Sequence, residues 1–227
     1  MICTYNDITY TLAKSDRKTM SIYVEPNGTI LVRAPKYIPQ EKLNAILGLK
    51  KYWIHKSIAE LQELNRTKVT RQIAHGEGFL FMGKSCRLKI DKNLKKPLSL
   101  VQGYFILHTD EIENAREHFI NFYREKGREY IPTRVEYFKK KIGVEPKNIR
   151  VMDLKNRWAS QSRNGVNFHW KLMLAPMTII DYIVVHELAH LNVQDHSPAF
   201  WELVESVMPN YDERKNWLKI NGANLDI

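Results

Sequence analysis

The sequence predicts an α+β fold, with a β-rich part over residues 1–110 and a more helical part over residues 111–227. The first part alternates short apolar and aromatic runs with turn residues, which is typical of strands. The second part opens on a long stretch in which apolar residues recur with helical spacing. At 227 residues, 44% of them hydrophobic, the chain can bury one large core or two smaller ones.

The N-terminal part contains seven predicted strands and one long helix. Apolar residues that recur every three or four positions predict the helix over residues 39–64. A turn is predicted at Pro26-Asn27-Gly28 and another at Gln102-Gly103. The predicted strands are residues 8–12, 19–24, 29–33, 79–82, 86–90, 98–101 and 104–108.

The C-terminal part begins with a predicted helix over residues 111–142, which Pro132 is expected to split or kink. Strands are predicted over residues 149–154 and 166–174, and Asn164-Gly165 between them is a typical hairpin turn. A buried helix is then predicted over residues 177–192, because Pro176 stands where a helix can begin and an apolar stripe follows it.

This last helix carries two histidines, His186 and His190, four positions apart, and Glu187 lies between them. Helical spacing places both imidazoles one turn apart on one face, where they can hold a single divalent metal ion. Glu187 projects toward the same region and can take a proton from a metal-bound water. Polar side chains on a buried helix are costly unless something satisfies them, which favours a metal site over an accidental match. The pattern therefore indicates a metal-dependent hydrolase.

A third histidine, His196, follows His190 by six positions, as the third ligand does in the longer motif H-E-x-x-H-x-x-G-x-x-H. Val193 replaces the glycine of that motif, and we expect Asn192, which tolerates the left-handed conformation, to make the turn one residue earlier. The spacing favours His196 as the third ligand. The rival ligands, on the next helix, are Glu202 and Glu205.

The net charge of +10 and the pI near 9.5 favour a polyanionic partner such as a nucleotide or a nucleic acid. Surface lysines that only keep the protein soluble explain the charge equally well. No apolar run is long enough to span a membrane, and the first residues lack the features of a signal peptide. Two cysteines do not indicate a disulfide scaffold, so we expect a cytoplasmic protein with no membrane partner.

Basic residues stand just ahead of the helix that carries the histidines. Arg157 beside Trp158, Arg163 and Lys171 fall on the predicted hairpin. Because the planar fork of arginine suits phosphate oxygens, we predict that these four residues contact the substrate. The alternative interpretation is that the cations only decorate the rim of a hairpin.

Further motifs surround the histidines, and they are Arg157-Trp158-Ala159-Ser160, Asn167, Leu174-Ala175-Pro176, residues 180–191 and His196-Ser197-x-x-Phe200-Trp201. Together they resemble the YgjP-like metallopeptidase family, over the whole chain and most strongly over residues 151–218. The resemblance implies a zincin-like catalytic part at residues 111–227. It also implies that His186, His190 and His196 bind the metal and that Glu187 is the general base.

The resemblance carries an activity as well, because members of this family are described as metal-dependent UTP pyrophosphatases, which cleave UTP to UMP and pyrophosphate. The basic residues favour that substrate, since cleavage of a triphosphate requires cations that stabilise charge on the transferred phosphoryl group. Zn²⁺ is the expected metal, with Mn²⁺, Ni²⁺, Co²⁺ and Mg²⁺ as alternatives. Two other functions stay open. One is a zinc metallopeptidase, including one that acts near DNA as the similar SprT-type proteins do, and the other is a metal-stabilised binding module without turnover.

The chain departs from the usual R-W-G-S-C-S pattern of the family at Ala159 and Gln161, and His169 stands where the family often has Asn. All three departures fall on the predicted substrate-facing hairpin. They therefore bear on substrate recognition and not on the metal site.

Overall fold

The computed structural model describes residues 1–25, 28–66, 71–154, 157–162 and 165–227. Over these residues the chain has the predicted α+β fold, with strands dominant early in the sequence and helices dominant later. The chain forms two compact units, Met1–Lys68 and Val69–Ile227. None of the described helices is long and apolar enough to cross a membrane.

The first unit is a four-stranded sheet with one helix. Its strands are β1 (Ile2–Tyr5), β2 (Ile8–Ser15), β3 (Ser21–Val24) and β4 (Ile30–Pro35), in the order β1-β2-β4-β3, and its helix is α1 (Gln40–Arg66). Side chains of β2 alternate between buried and exposed, so that Ile8, Tyr10 and Leu12 join Leu43 and Leu47 of α1 in one core. Of the predicted turn, Pro26 and Asn27 lie outside the described residues.

The second unit begins with another four-stranded sheet and a long helix. The strands are β5 (Gly78–Phe81), β6 (Lys84–Asp91), β7 (Leu98–Val101) and β8 (Tyr104–His108), in the order β5-β6-β8-β7, and the helix is α2 (Ala115–Ile142). Phe79 of β5 stacks on Phe119 of α2 with ring centroids 4.3 Å apart, and Tyr123 donates a hydrogen bond to the carbonyl of Leu80. These contacts make the sheet and the helix one hydrophobic core.

The division between the units, at residues 68 and 69, lies well before the boundary near residue 110 that the sequence suggested. The strands β5 to β8 belong with the C-terminal helices, because Phe79 and Phe105 pack against α2. The run of strand patterns continues across both units, so strand content alone does not mark where one core ends.

Helix α2 is continuous from Ala115 to Ile142 with Pro132 in its interior, so of the predicted split or kink the split does not occur. It ends at Gly143, whose φ of 76° is the left-handed conformation that glycine adopts readily at a helix terminus.

A three-stranded sheet follows, made of β9 (Ile149–Met152), β10 (Ala159–Ser162) and β11 (Gly165–His169), in the order β10-β11-β9. The predicted hairpin between residues 149–154 and 166–174 is wrong, because β9 pairs with β11 in parallel and the hairpin joins β10 to β11. Residues Trp170–Leu174 form a 3₁₀ helix instead of extending the strand, and the His169 side chain caps it by accepting a hydrogen bond from the Lys171 amide. Asn164, in the predicted turn, lies outside the described residues.

Three helices complete the second unit, and they are α3 (Met177–Ala189), α4 (Pro198–Val207) and α5 (Tyr211–Asn221). Helix α3 is buried on most of its surface, which agrees with its strongly apolar sequence. Asp181 of α3 accepts two hydrogen bonds from the Arg134 guanidinium of α2, of 2.7 and 2.9 Å. This ion pair ties the helix that carries His186 and Glu187 to the longest helix of the unit.

Candidate active site

Three histidines converge at the C-terminal end of α3. The Nε2 atom of His196 lies 3.1 Å from that of His186 and 3.2 Å from that of His190. One ring nitrogen from each residue lies within 4.8 Å of the other two, and these three residues are the one such cluster among the described His, Cys, Asp and Glu side chains. The predicted trio of ligands is thus brought together.

The end of α3 determines which ring nitrogens point inward. The helix ends at Ala189, three residues earlier than predicted, but His190 keeps a helical conformation and its amide donates to the carbonyl of His186. The Nδ1 atom of His190 lies 3.0 Å from the carbonyl oxygen of Val193, to which it donates. This hydrogen bond fixes the proton on Nδ1 and leaves the Nε2 lone pair free to bind a cation.

The expected left-handed turn at Asn192 is absent, since neither Asn192 nor Val193 is among the described residues with positive φ. The chain instead leaves the helix through a tightened turn, in which the amides of Asn192 and Val193 both donate to the carbonyl of Ala189. A turn of this kind needs no glycine. The turn also points the carbonyl of Val193 toward His190, so the backbone of Val193 accepts the hydrogen bond that orients the His190 ring.

Helix α4 holds the imidazoles in place with two aromatic rings. Phe200 stacks on His190 with ring centroids 4.3 Å apart, and Trp201 stacks on His196 at 5.5 Å. The rival ligands Glu202 and Glu205 are exposed on this helix and do not belong to the cluster. The aromatic residues of α4 therefore orient the histidines, and its glutamates do not join the cluster.

The donor set fits a divalent transition metal. Nitrogens that lie about 2.0–2.1 Å from a tetrahedral zinc ion are roughly 3.3 Å from one another, close to the separations observed here. Burial, followed by the neighbouring His190 and His196, lowers the pKa of His186 to about 3, so this imidazole is neutral at physiological pH. A neutral imidazole is the form that binds a metal ion.

Glu187 is buried next to this cluster, with only 8% of its surface exposed. Burial raises the pKa of its carboxyl to about 7, and the charge of Arg157 acts in the opposite direction. A divalent cation at the histidines would favour the ionised form and lower this pKa. The structure thus places a buried carboxyl with a raised pKa directly after His186 in the chain.

His186 and Glu187 open onto a cleft of about 330 Å³. The walls come from α3, from α5 and from the chain around the start of β10, and their residues are Trp158, Ala159, Tyr182, Ile183, Lys215, Leu218 and Lys219. The cleft is apolar on one part of its surface and cationic on another, and the buried carboxyl of Glu187 forms part of its lining.

The four predicted substrate-binding residues have different positions. Trp158 lines the cleft, and Arg157 is exposed next to it and close enough to Glu187 to act on its pKa. Arg163 lies outside the described residues. Lys171 lies on the 3₁₀ helix after β11, where its Nζ atom forms an ion pair of 2.9 Å with Asp226, so the expectation that it stands on the substrate-facing hairpin is wrong.

Sequence reasoning missed the residues that α3 and α5 add to the cleft. Tyr182 precedes His186 by one helical turn, a spacing that places both on one face, and that pattern was a usable signal. Lys215 and Lys219 also stand one turn apart, but nothing in the sequence indicates that α5 packs beside α3. Burial, followed by the charges of Asp212, Tyr211 and Glu187, raises the pKa of Tyr182 to about 12, so its hydroxyl keeps its proton.

Comparison with known proteins gives one family and one structure. The sequence profile of the family described as YgjP-like, metallopeptidase domain matches residues 18–221. A crystal structure of the metallopeptidase zymogen of Pyrococcus abyssi abylysin is similar, with 27% sequence identity and a TM-score of 0.37. The similarity covers 39% of this chain and 90% of that one. No curated protein sequence is significantly similar to the chain.

Proposed function

The chain belongs to the YgjP-like metallopeptidase domain family and is a metal-dependent hydrolase, and we propose that it is a zinc enzyme that cleaves UTP to UMP and pyrophosphate. One observation supports this substrate above the others. The proton acceptor Glu187 and the ligand His186 line a cleft that also presents an indole and two lysine side chains. A nucleotide offers a planar base and a chain of anionic phosphates, which match these two kinds of surface.

In this proposal His186, His190 and His196 hold the zinc ion through their Nε2 atoms. Three protein ligands leave an open position, as catalytic zinc sites require. A bound zinc ion would supply Lewis acidity, which would make water a better nucleophile at neutral pH.

Glu187 is the general base in the proposed reaction. It accepts a proton from the attacking water as the water oxygen bonds to the α-phosphorus of UTP. The bond between that phosphorus and the oxygen bridging to the β-phosphorus breaks, and its electron pair leaves with pyrophosphate. Because Glu187 is buried, its carboxylate is poorly solvated before it takes the proton, which favours proton transfer.

Arg157 is proposed to bind the phosphate groups of UTP. It is exposed and directly precedes Trp158, which lines the cleft, and its charge lowers the pKa of Glu187. A guanidinium in this position can bind two phosphate oxygens at once, which a lysine cannot do. Lys171 does not share this role, because Asp226 already neutralises it.

The second candidate function is a zinc metallopeptidase, which the description of the family itself favours. The same histidines and the same base serve the hydrolysis of a peptide bond. The net charge of +10 would suit a peptidase that acts near nucleic acid. A peptide bond, however, carries no charge that would require the lysines of the cleft, so we rank this candidate below the nucleotide hydrolase.

The test is to incubate the zinc-loaded protein with UTP, with the other common nucleoside triphosphates and with casein. We expect release of pyrophosphate from UTP, its loss on addition of a chelator and its recovery when zinc is restored. The variant Glu187→Gln should retain zinc and fold but lose turnover by about 10²–10⁴-fold, since the amide cannot accept the proton. The matched control is Glu202→Gln on the exposed face of α4, which should retain full activity.

Two outcomes would contradict the proposal. If the parent protein releases no pyrophosphate from UTP but cuts casein in a chelator-sensitive manner, the peptidase is the correct function. If neither substrate is cleaved and zinc is tightly bound, the site belongs to a binding module.

A further inference from the structure

We infer that Lys215 of α5 binds the phosphate chain of the substrate, and that Lys215 and Arg157 together select a substrate that joins a planar base to several anionic groups. This inference rests on the proposed nucleotide hydrolase function and extends it to a residue and a helix that the sequence motifs do not include. The two cations come from separate segments, the chain before β10 and the helix α5.

Lys215 is available to a ligand, unlike Lys171. Among the described residues its ammonium group forms one ion pair, with Asp212 at 3.9 Å, and half of its side chain (51%) is exposed. A contact at that distance on the surface contributes little, so an arriving phosphate oxygen does not have to displace a strong partner. The Nζ atom of Lys171, by contrast, lies 2.9 Å from a carboxylate oxygen of Asp226.

Stacked rings fix the ammonium of Lys215 close to the histidines. Its Nζ atom lies 4.2 Å from the centroid of the Trp201 ring, and that ring is stacked on His196 at 5.5 Å with an interplanar angle of 25°. The other stacking partner of Trp201 is Tyr211, at 5.1 Å. The cation–π contact limits where the long side chain can go, so the positive charge is held one ring away from a metal ligand.

The planar base of the substrate needs an apolar surface, and Trp158 provides one. A side-chain carbon added at Gly222, just after α5, would lie 3.1 Å from Cζ2 of Trp158. The indole therefore packs closely against the end of the same helix that carries Lys215. Trp158, Leu218 and Ile183 give the cleft an apolar surface, while Lys215 and Lys219 give it positive charge.

The binding experiment uses the Glu187→Gln protein loaded with zinc, which holds the substrate without turning it over. Calorimetry measures the affinity for UTP, for pyrophosphate and for uridine. In this background Lys215→Met should weaken UTP and pyrophosphate binding by about 10- to 100-fold, as expected for a lost charged hydrogen bond, and should leave uridine binding unchanged. Methionine preserves the packing on Trp201, and Lys215→Arg, which keeps the charge, should restore most of the affinity.

The kinetic experiment uses the same substitutions in the active protein, with Lys140→Met on α2 as the control, since 75% of its side chain is exposed. We expect Lys215→Met to lower kcat/KM for UTP by the same 10- to 100-fold, with zinc content and Tm unchanged and with Lys140→Met at the parental value. The inference is overturned if Lys215→Met alters UTP affinity and kcat/KM by less than twofold, or if it acts by removing zinc. An inactive parent protein that still binds UTP through Lys215 would overturn the proposed reaction and leave this binding role standing, whereas no UTP or pyrophosphate binding at all would overturn both.

Discussion

The ion pair between Arg134 of α2 and Asp181 of α3 should be a main determinant of how firmly the active-site helix is held. Both side chains are mostly buried, with 27% and 17% of their surfaces exposed, and the two hydrogen bonds between them are 2.7 and 2.9 Å long. Removing one partner of a fully buried pair costs about 3–5 kcal/mol, because the other charge stays in the protein without compensation. Partial exposure here lowers that figure, and we expect Arg134→Ala to destabilise the unit by about 2–3 kcal/mol.

The assay is chemical denaturation followed by tryptophan fluorescence, in a Trp53→Phe background. Trp53 is the one tryptophan of the first unit, so the remaining four report on the second unit alone. Zinc is kept at one saturating concentration, because a bound metal adds to apparent stability. Thermal denaturation followed by the same fluorescence should show a decrease in Tm of roughly 5–10 °C for a unit of this size.

A double-mutant cycle with Arg134→Ala and Asp181→Ala separates the pair from other losses. The cycle is needed because the Arg134 guanidinium also lies over the rings of Tyr137 and Phe138, at 4.8 and 5.2 Å. We expect a coupling energy of about 1.5–3 kcal/mol. The control is Lys126→Ala, which removes an exposed pair with Glu129 on the same helix and should alter stability by less than about 0.5 kcal/mol. A coupling energy below about 0.5 kcal/mol would refute the reasoning, since the pair would then behave like any surface ion pair.

Two further predictions concern the metal and the C-terminus. The variant His196→Ala should lower zinc affinity by more than about 100-fold, because loss of a residue that only supports a ligand already costs up to about 100-fold. Full zinc occupancy of this variant by metal analysis would instead require a ligand outside the cluster. Burial alone would raise the pKa of the Asp226 carboxyl, but hydrogen bonds from Lys171 and the Ile227 amide, together with the charge of Arg116, lower it overall. The carboxylate therefore stabilises the protein above its unfolded pKa of about 3.9, and this contribution is lost as the pH falls through the lower folded pKa. Asp226→Asn should therefore cost about 1–2 kcal/mol at pH 7, and the cost should become smaller as the pH falls below about 3.9, as measured by urea midpoints over a series of pH values.

The active-site helix and its histidines could be predicted because the information is local. Spacing alone relates His186 to His190, and a strongly apolar stretch after Pro176 is sufficient to define a buried helix. The third histidine was also correctly placed near the other two, although the predicted turn at Asn192 was wrong. The six-residue spacing is enough to bring His196 back to His190, whereas the course of the chain between them depends on the backbone hydrogen bonds that the Ala189 carbonyl accepts.

The cleft could be predicted only in part, because its walls are brought together by tertiary packing. Trp158 has a sequence signal, since it adjoins Arg157 in a motif near the histidines. Lys215 has none, because its position depends on contacts of α5 with α3 and on the Trp201 ring beneath it. The parallel pairing of β9 with β11 was missed for a related reason, since the turn residues Asn164-Gly165 indicate a hairpin but not which earlier strand takes part in it.

The three departures from the family pattern now have separate physical meanings. His169 is buried, and burial, with the charge of Lys171 acting in the same direction, lowers the pKa of its ring to about 4, so Nδ1 of the neutral ring accepts the Lys171 amide and caps the 3₁₀ helix. Asparagine also accepts such a hydrogen bond, so the two residues are interchangeable in that task.

Gln161 is exposed on β10, at the edge of its sheet, and does not line the described cleft. Ala159 alone lines it, where it adds one methyl group that glycine lacks. Any difference in substrate choice between this chain and relatives with the usual pattern should therefore arise at the wall that Ala159 and Trp158 share, and replacing Ala159 by Gly is the substitution that would widen the cleft without altering a charge.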